Sequence, residues 1–281
     1  AVVGKLATGQ LNAIELTFFR WLIAVIFIFF IARKGLRGDW PLIKRYWKRL
    51  SAMAIVGFVG FNLTLYGALH YTSAINVAIS QAAIPMVIIA LNKVFFGQRA
   101  FLLQLIGVSV ALFGVALTVS RGNLISLLQG DLNRGDAMML FAVMCYALYS
   151  LSLRYRPEIR DTSFIFALGL ASLISMIPLM LWSVGEYSLP HINWETMAII
   201  LYVAIFPSFF AQLFYAKGIG MIGANRGGVF INLVPIFGAL LAVLVLGEQF
   251  RDYHFYGLSL VLGGIALSEW IVKRRAAQGI S

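Results

Sequence analysis

Nine apolar stretches of roughly 20 residues follow one another along this chain, near 16–32, 50–70, 74–96, 101–120, 135–153, 162–184, 195–216, 223–246 and 252–272. Each is long enough to cross the hydrocarbon core of a bilayer as a helix, and a backbone in hydrocarbon must satisfy its own hydrogen bonds. The feature leaves one class, an all-α polytopic membrane protein. Composition agrees. With 61% hydrophobic and 12% charged residues among 281, and a mean hydropathy of +0.89, too little polar surface exists to coat a soluble globule.

The chain also repeats itself. At a fixed offset of 150, the segment 85–117 matches 235–267 at Pro85/Pro235, Leu91/Leu241, Gly97/Gly247, Gly107/Gly257, Ser109/Ser259, Leu112/Leu262, Gly114/Gly264, Ala116/Ala266 and Leu117/Leu267. That period is far too long for a solenoid and fits two copies of one domain. The opening AVVGKLATGQ is too short to span, and at the same offset it lies on the second half of the span at 135–153. The expectation is ten transmembrane helices in two five-helix repeats, with about twelve residues of helix one preceding Ala1. The first repeat is placed at 1–120, a periplasmic linker at 121–134 and the second repeat at 135–275. No signal peptide or cleavage pattern is visible.

Five helices per repeat is an odd number, so the second copy runs through the membrane in the opposite sense. The basic residues fit that inversion. Arg33, Lys34, Arg37, Lys44, Arg45, Lys48, Arg49, Lys93, Arg99, Arg154, Arg156, Arg160, Lys217, Lys273, Arg274 and Arg275 all fall on one predicted side. Outside the helices the other side carries only Arg121, Arg134 and Arg251, with the acids Asp131, Asp136, Glu186, Glu195 and Asp252. The positive-inside rule then puts both termini in the cytoplasm. The net charge of +11 is thereby assigned to orientation, and no nucleic-acid partner is expected, since the basic residues form no stripe with interleaved aromatics. The stretch 37–49, RGDWPLIKRYWKR, reads either as an interfacial helix with Trp40, Tyr46 and Trp47 at headgroup depth or as a basic loop.

Inverted repeats with helices interrupted at matching positions mark secondary transporters, which bind substrate near the midplane. Pro85 and Pro235 fall near the centres of their spans, where each frees a backbone carbonyl; a symmetric pair is expected to line or gate a pathway. Polar side chains on these helices suggest a cavity, with Asn62, Tyr66, Ser80, Gln81, Tyr146, Tyr149, Tyr202, Gln212 and Asn232 as candidate lining. Each alone is as readily an interhelical hydrogen bond. The helices at 101–120 and 252–272 carry small residues at matching spacings (Gly107, Ala111, Gly114; Gly257, Gly264) and read as packing helices.

Three stretches resemble the EamA-type transporters of the drug/metabolite transporter superfamily. They are Tyr66-Gly-Ala-Leu-x-Tyr71-x-x-Ala74 leading to Pro85 and Gly97, Tyr215-Ala-Lys-Gly leading to Pro235 and Gly247-Glu248, and ELTFFRW at Glu15–Trp21. Within that family the chain is most similar to aromatic amino acid exporters of the YddG kind. The resemblance implies ten helices around a central cavity, alternating access, and outward movement of amino acids or related metabolites across a bacterial inner membrane. The family's acidic residue after the glycine is present as Glu248 but is Gln98 in the first half, so a paired role at this position is not implied.

Chemistry beyond binding is not indicated. His70, His191 and His254 stand near membrane edges, no carboxylate cluster or H-E-x-x-H motif occurs, and the lone Cys145 excludes a disulfide framework or a multi-cysteine metal site. Neither catalysis nor a cofactor or metal is expected. The G-x-G-x-x-G match at Gly218–Gly223 joins two apolar helices and follows no strand, so it reads as a turn. No Asp or Glu lies near a span centre, which favours a facilitator or a weakly coupled carrier. Glu15 beside Lys5 or Arg20 reads as an ion pair or a gate; Arg226 reads as a lure for a substrate carboxylate or a snorkelling anchor. The expectation is thus an exporter of amino acids and small metabolites, embedded in lipid as a monomer, with no partner beyond the substrate. The rivals are efflux of cationic drugs and a non-transporting membrane scaffold.

Overall fold

The computed structural model of the chain describes residues 1–97, 102–125, 133–187, 192–211, 213–214 and 233–277. Among the described residues the regular structure is wholly helical, without a strand. In chain order the α-helices are α1 (Val2–Leu6), α2 (Ala13–Arg45), α3 (Trp47–Ala54), α4 (Phe61–Ala68), α5 (Ala74–Gln81), α6 (Ile84–Phe96), α7 (Leu102–Val119), α8 (Arg134–Ser152), α9 (Asp161–Tyr187), α10 (Trp194–Ile205), α11 (Leu233–Leu246) and α12 (Asp252–Ala277). Five continuous stretches are long and apolar enough to cross a membrane: Ala13–Arg45, Trp47–Ala68, Ala74–Phe96, Arg134–Tyr155 and Asp161–Glu186. Shorter apolar helices cover Leu105–Val119, Trp194–Phe210 and Val234–Leu246.

Short polar side chains start these helices. Asn12 opens α2 by accepting from the backbone N–H of Ile14 and Glu15, while Glu15 Oε2 accepts from Asn12 N at 2.9 Å, a reciprocal capping box. Ser73 caps α5, Asn133 caps α8 and Asn193 caps α10 in the same way. The repeated glycine also has its explanation at a helix end. Gly97 and Gly247 close α6 and α11 with φ of 60° and 65°, a left-handed turn that a side chain would strain.

Contacts sort the helix ends into two groups. At one end Lys5 bonds Leu69 O and Thr72 O, Asn12 bonds Ser183, Gln10 bonds Glu195, and Glu248 accepts from the backbone N–H of Ala74 and Ile75. At the other, Arg49 donates to Tyr155 O, Arg154 to Asn92, Arg156 to Asp161, and Asp39 accepts from Arg160 N. The described basic residues of the predicted cytoplasmic side gather at this second end. The stretch 37–49 is helical: α2 runs 33 residues, roughly 50 Å, well past the hydrocarbon core, and continues into α3. Lys44 lies over Trp40, Lys48 over Trp47, and Arg45 and Arg49 over Tyr46, with cation-to-ring distances of 5.9, 5.8, 5.6 and 5.2 Å.

Helices from the first part of the chain pack mainly against helices from the second. The tightest seam is α7 against α12. A Cβ on Gly107 would come within 2.6 Å of Gly264 O, one on Gly264 within 2.4 Å of Gly107 O, and one on Gly114 within 2.7 Å of Gly257 O. Backbones meet here because nothing stands between them, as expected of packing helices. α5 packs on α11, where Gly238 would bring a Cβ within 2.8 Å of Ala78 Cβ. α4 packs on α8, and α2 on both α9 and α10.

Helices are interrupted in two ways. Between α5 and α6 the amides of Ala82 and Ala83 reach back only three residues, to Ile79 O and Ser80 O, and α6 restarts with Pro85 in its first turn. This corrects the expected mid-helix kink: a missing N–H is harmless in a first turn, so proline begins a new helix here. Pro235 lies on α11, and the residues before Leu233 lie outside the described residues. The other break is a pair of π-helical segments, Ile55–Gly60 between α3 and α4 and Phe206–Phe210 after α10. Moved by 150, Phe206–Phe210 falls on Val56–Gly60, so both parts of the chain widen their helix at one matched place.

Candidate functional site

Those two π segments flank a buried cation. Arg20 comes from α2, seven residues in from its start and 9% exposed. Its Nε donates to Ser208 Oγ at 2.7 Å, and Nη1 donates to Asn62 Oδ1 at 2.5 Å and to Tyr66 Oη at 2.7 Å. Asn62 and Tyr66 stand on α4 just after the first π segment, and Ser208 stands within the second. The local irregularity supplies the geometry. A π turn shifts each carbonyl out of the i−4 register, and polar side chains collect the carbonyls. Ser208 Oγ donates to Val203 O, five residues back, at 2.7 Å, Asn62 Nδ2 donates to Phe58 O at 2.5 Å, and Thr64 Oγ1 donates to Gly60 O at 2.7 Å. Pro207, which has no N–H to give, stands beside Ser208 in the second segment.

An aromatic ladder leads away from the cation. The Arg20 guanidinium carbon lies 5.3 Å from the Trp21 ring centre and 5.9 Å from that of Tyr66. Trp21 stacks on Phe58 at 4.7 Å and 5°, Phe58 meets Tyr149 at 5.4 Å, and Tyr149 meets Tyr146 edge-on at 5.7 Å. Gly57 admits the Tyr149 ring, since a Cβ there would lie 2.3 Å from it. Beyond Tyr149 a cavity of about 400 Å³ opens between α3 and α8, lined by Arg49, Met53, Val56, Leu148, Tyr149 and Tyr155. Among the described residues, buried donors without a partner include Trp21 Nε1, and Ser80 Oγ at the break between α5 and α6.

The guanidinium donates only to neutral oxygen atoms among the described residues. Among the described residues the sole ion pair is Arg156–Asp161, at the far end. A cation removed from water and given no counter-charge is costly, and an anion that reaches it recovers the lost interaction. A carboxylate suits a guanidinium best, through paired N–H···O bonds.

The expected lining residues divide on this geometry. Asn62 and Tyr66 touch Arg20, and Tyr146 and Tyr149 form the ladder; Ser80 and Gln81 stand at the α5–α6 break, where Gln81 Nε2 bonds Val77 O. Tyr202 is apart, 46% exposed and stacked on Phe206 in an outward stripe continued by Phe210 and Phe214. The expected ion pair of Glu15 does not form. Glu15 is consumed by the cap of α2, Lys5 is held by the carbonyls of Leu69 and Thr72, and Arg20 lies deeper. Gln98, Gln212, Tyr215, Arg226, Asn232 and the stretch Gly218–Gly223 lie outside the described residues. Sequence reasoning passed over Trp21 as a site residue; it counted Ser208 among the polar side chains of its apolar span but left it out of the lining, although a Pro-Ser pair there was an available signal. It also counted Asp136 among the acids of the outer face, and Asp136 is fully buried.

A membrane-embedded helical protein with a buried polar centre between its halves is a membrane transporter in class. Comparison with known families makes this specific: the profile of the EamA-like transporter family matches residues 1–120 and 133–270, and the chain belongs to that family. Its relatives include the uncharacterized transporters YyaM and YetK of Bacillus subtilis (strain 168). YyaM is 24% identical over 254 residues, covering 89% of this chain and 81% of YyaM. YetK is 25% identical over 282 residues, covering 98% and 83%. An uncharacterized transporter of Archaeoglobus fulgidus is 28% identical over 273 residues, covering 94% and 90%. One solved crystal structure shares the fold, with a TM-score of 0.62 over 96% of this chain and 92% of that one at 19% identity.

Proposed function

We propose that the protein exports amino acids of broad side-chain type, aromatic ones included, together with related small metabolites, by alternating access between two inverted five-helix halves of a bacterial inner-membrane carrier with both termini cytoplasmic. The observation that carries this reading is the Arg20 centre, a buried guanidinium held by Ser208, Asn62 and Tyr66 with no acid paired to it among the described residues. Such a centre awaits a carboxylate. The aromatic ladder of Trp21, Phe58, Tyr149 and Tyr146 gives an apolar wall of varied depth for the side chain, and the unpartnered Trp21 and Ser80 donors add hydrogen-bonding capacity. The breaks at 82–83 and in the two π segments are the places where backbone can rearrange without tearing a regular helix.

The test is release from proteoliposomes loaded with phenylalanine, leucine and phenethylamine, the last being phenylalanine without its carboxylate. Release of both amino acids with retention of phenethylamine is the expected result. Release of the amine alone would establish cationic efflux instead, and retention of all three would leave a protein that does not carry such compounds.

A further inference from the structure

A second buried polar knot lies at the other side of the α4–α5 turn, and none of the residues assigned to substrate belongs to it. Asp136, in the first turn of α8, is fully buried. Its Oδ1 accepts from Thr72 Oγ1 at 2.7 Å and from Asn76 Nδ2 at 3.5 Å; Asn76 Nδ2 also reaches Thr72 Oγ1 at 3.1 Å. Its Oδ2 is buried and has no partner among the described residues. Asn76 Oδ1 lies 3.0 Å from His254 Nε2, and His254 Nδ1 accepts from Arg251 N at 3.0 Å.

The backbone fixes this chain of bonds. Because Nδ1 of His254 accepts a main-chain N–H, the ring proton sits on Nε2 and must donate to Asn76, so Asn76 presents its oxygen to His254 and its NH₂ to Asp136. Every group turned toward the carboxyl is therefore a donor. A metal cation, which needs several oxygen ligands, is offered only the carboxyl and the Thr72 hydroxyl, whose oxygen already accepts from Asn76, among the side chains bonded in the knot. An organic cation has no room beside a fully enclosed side chain. A proton needs only one free oxygen, and Oδ2 is one.

We propose that Asp136 is the proton site that drives export, binding one proton at Oδ2 for each substrate moved. The proposal rests on the transport reading above. Its path is at hand: a cavity of about 440 Å³ at the same end is lined by Thr72 and His254, two members of the knot, together with Lys5, His70, Glu248 and Arg251. A proton passes from water in this cavity to Oδ2, giving the neutral carboxyl, and its release to water on the opposite side of the membrane, in the other state of the carrier, regenerates the carboxylate. The charged and titratable groups around the knot are Arg121 after α7, Arg251 and His254 at the start of α12, Lys5 of α1, His70 of the α4–α5 turn, Arg134 on α8 itself, and Glu248, which is already engaged on the first amides of α5. Coupling to substrate is short. Tyr66 on Arg20 and Thr72 on Asp136 are separated by the single turn that Lys5 holds through Leu69 O and Thr72 O. Neutralising Asp136 weakens its hold on Thr72 and Asn76, and α5, which ends at the break before Pro85, is the element released.

The experiment measures steady-state substrate accumulation in proteoliposomes with the voltage clamped and a gradient of one pH unit. For one proton per substrate the wild type should sustain a roughly tenfold substrate gradient, and Asp136→Asn should sustain none while still passing substrate downhill. Accumulation by Asp136→Asn equal to wild type, downhill flux without accumulation in wild type, or accumulation driven by sodium instead would each overturn the proposal. Absence of any downhill flux in wild type would strike the transport reading, so a second measurement stands free of substrate. Infrared titration of the wild type toward acid pH should show a protonated-carboxyl C=O band that Asp136→Glu shifts. A spectrum without such a band, or with one that this variant leaves in place, would reduce Asp136 to a structural staple.

Discussion

Two regions join the first part of this chain to the second, and they do it by opposite means. Along α7 and α12, glycines let carbonyls and amides of the two helices touch, with Gly107 against Gly264 and Gly114 against Gly257. At the Arg20 centre, α2, α4 and the second π segment meet through polar side chains, and the helices that bring them have left α-helical register. The seam has one good arrangement, because backbone contact tolerates no slippage. The centre is satisfied by bonds to single hydroxyl and amide groups, each of which can be exchanged for a bond to a ligand or to water at modest net cost. The difference assigns the roles: the seam is the fixed frame and the centre is where occupancy can change.

The harshest way to break this contrast is to thicken the seam. Gly264→Val places its Cβ 2.4 Å from Gly107 O and 2.7 Å from Ala111 N, which are backbone atoms that cannot rotate away. Overpacking of apolar cores costs about 1–3 kcal/mol, and more where backbone has to move. The variant should fail to give a monodisperse peak in detergent, while Gly263→Val on the neighbouring position, where a Cβ meets nothing within 4 Å, should behave as wild type. Equal behaviour of the two would deny the seam its role.

The opposite outcome is expected at the centre. Arg20→Gln removes the charge and keeps a donor for its neighbours, so amino acid flux should fall by two orders of magnitude or so, in line with loss of one charged pairing of about 2–3 kcal/mol, and the melting temperature should stay level or rise. A rise would show directly that the cation is held at a cost. A fall in stability with flux intact would make Arg20 a structural clasp.

How far could the sequence foresee this contrast? The seam was legible, because glycines at fixed spacing in an otherwise apolar helix have few uses, and its partner helix carried the same spacing. Pro85 and Gly97 were legible as interruptions, but whether a proline bends a helix or starts a new one depends on the residues before it, here Ala82 and Ala83, which show no breaking signal. The ten-helix inverted plan remains an inference from the repeat and the charge bias. The centre was half legible. Asn62 and Tyr66 stood out as polar groups in apolar spans, whereas their convergence on Arg20 depends on two π segments, and Ile55–Gly60 has neither a proline nor a charge to announce one. Asp136 was hidden for a simpler reason: as the third residue of a helix it reads as a surface acid, and the side chains bonded to it, Thr72 and Asn76, come from elements far away in sequence.

A milder change tests whether the π segment itself matters. Pro207→Ala returns an N–H to the second segment and allows the regular register to close over it. An α-turn in place of the π turn would carry Ser208 around the helix and away from Arg20. Flux should fall several-fold while thermal stability holds or improves, and a spin label at Phe214 should report a changed distance to one on α2. Full activity with the helix regularised would mean that Asn62 and Tyr66 suffice to hold the cation.

The smallest effect lies between the two regions, in the turn that links α4 to α5. Partial burial, and secondarily the Lys5 ammonium, hold the His70 imidazole below its ordinary value. A histidine lowered in the folded state is disfavoured as a cation there, so the unfolded chain binds the extra proton first. Its contribution to stability is complete above the unfolded value near 6.5 and declines as pH falls toward the folded value. Melting temperatures measured from pH 8 down to pH 5 should therefore drop on the acid side, and His70→Gln should flatten the drop only slightly, since the ring is half open to water. If His70→Gln abolished the whole acid loss, the acid sensitivity of this end of the molecule would lie in this turn alone, and the slight share given to the half-open ring would be too small.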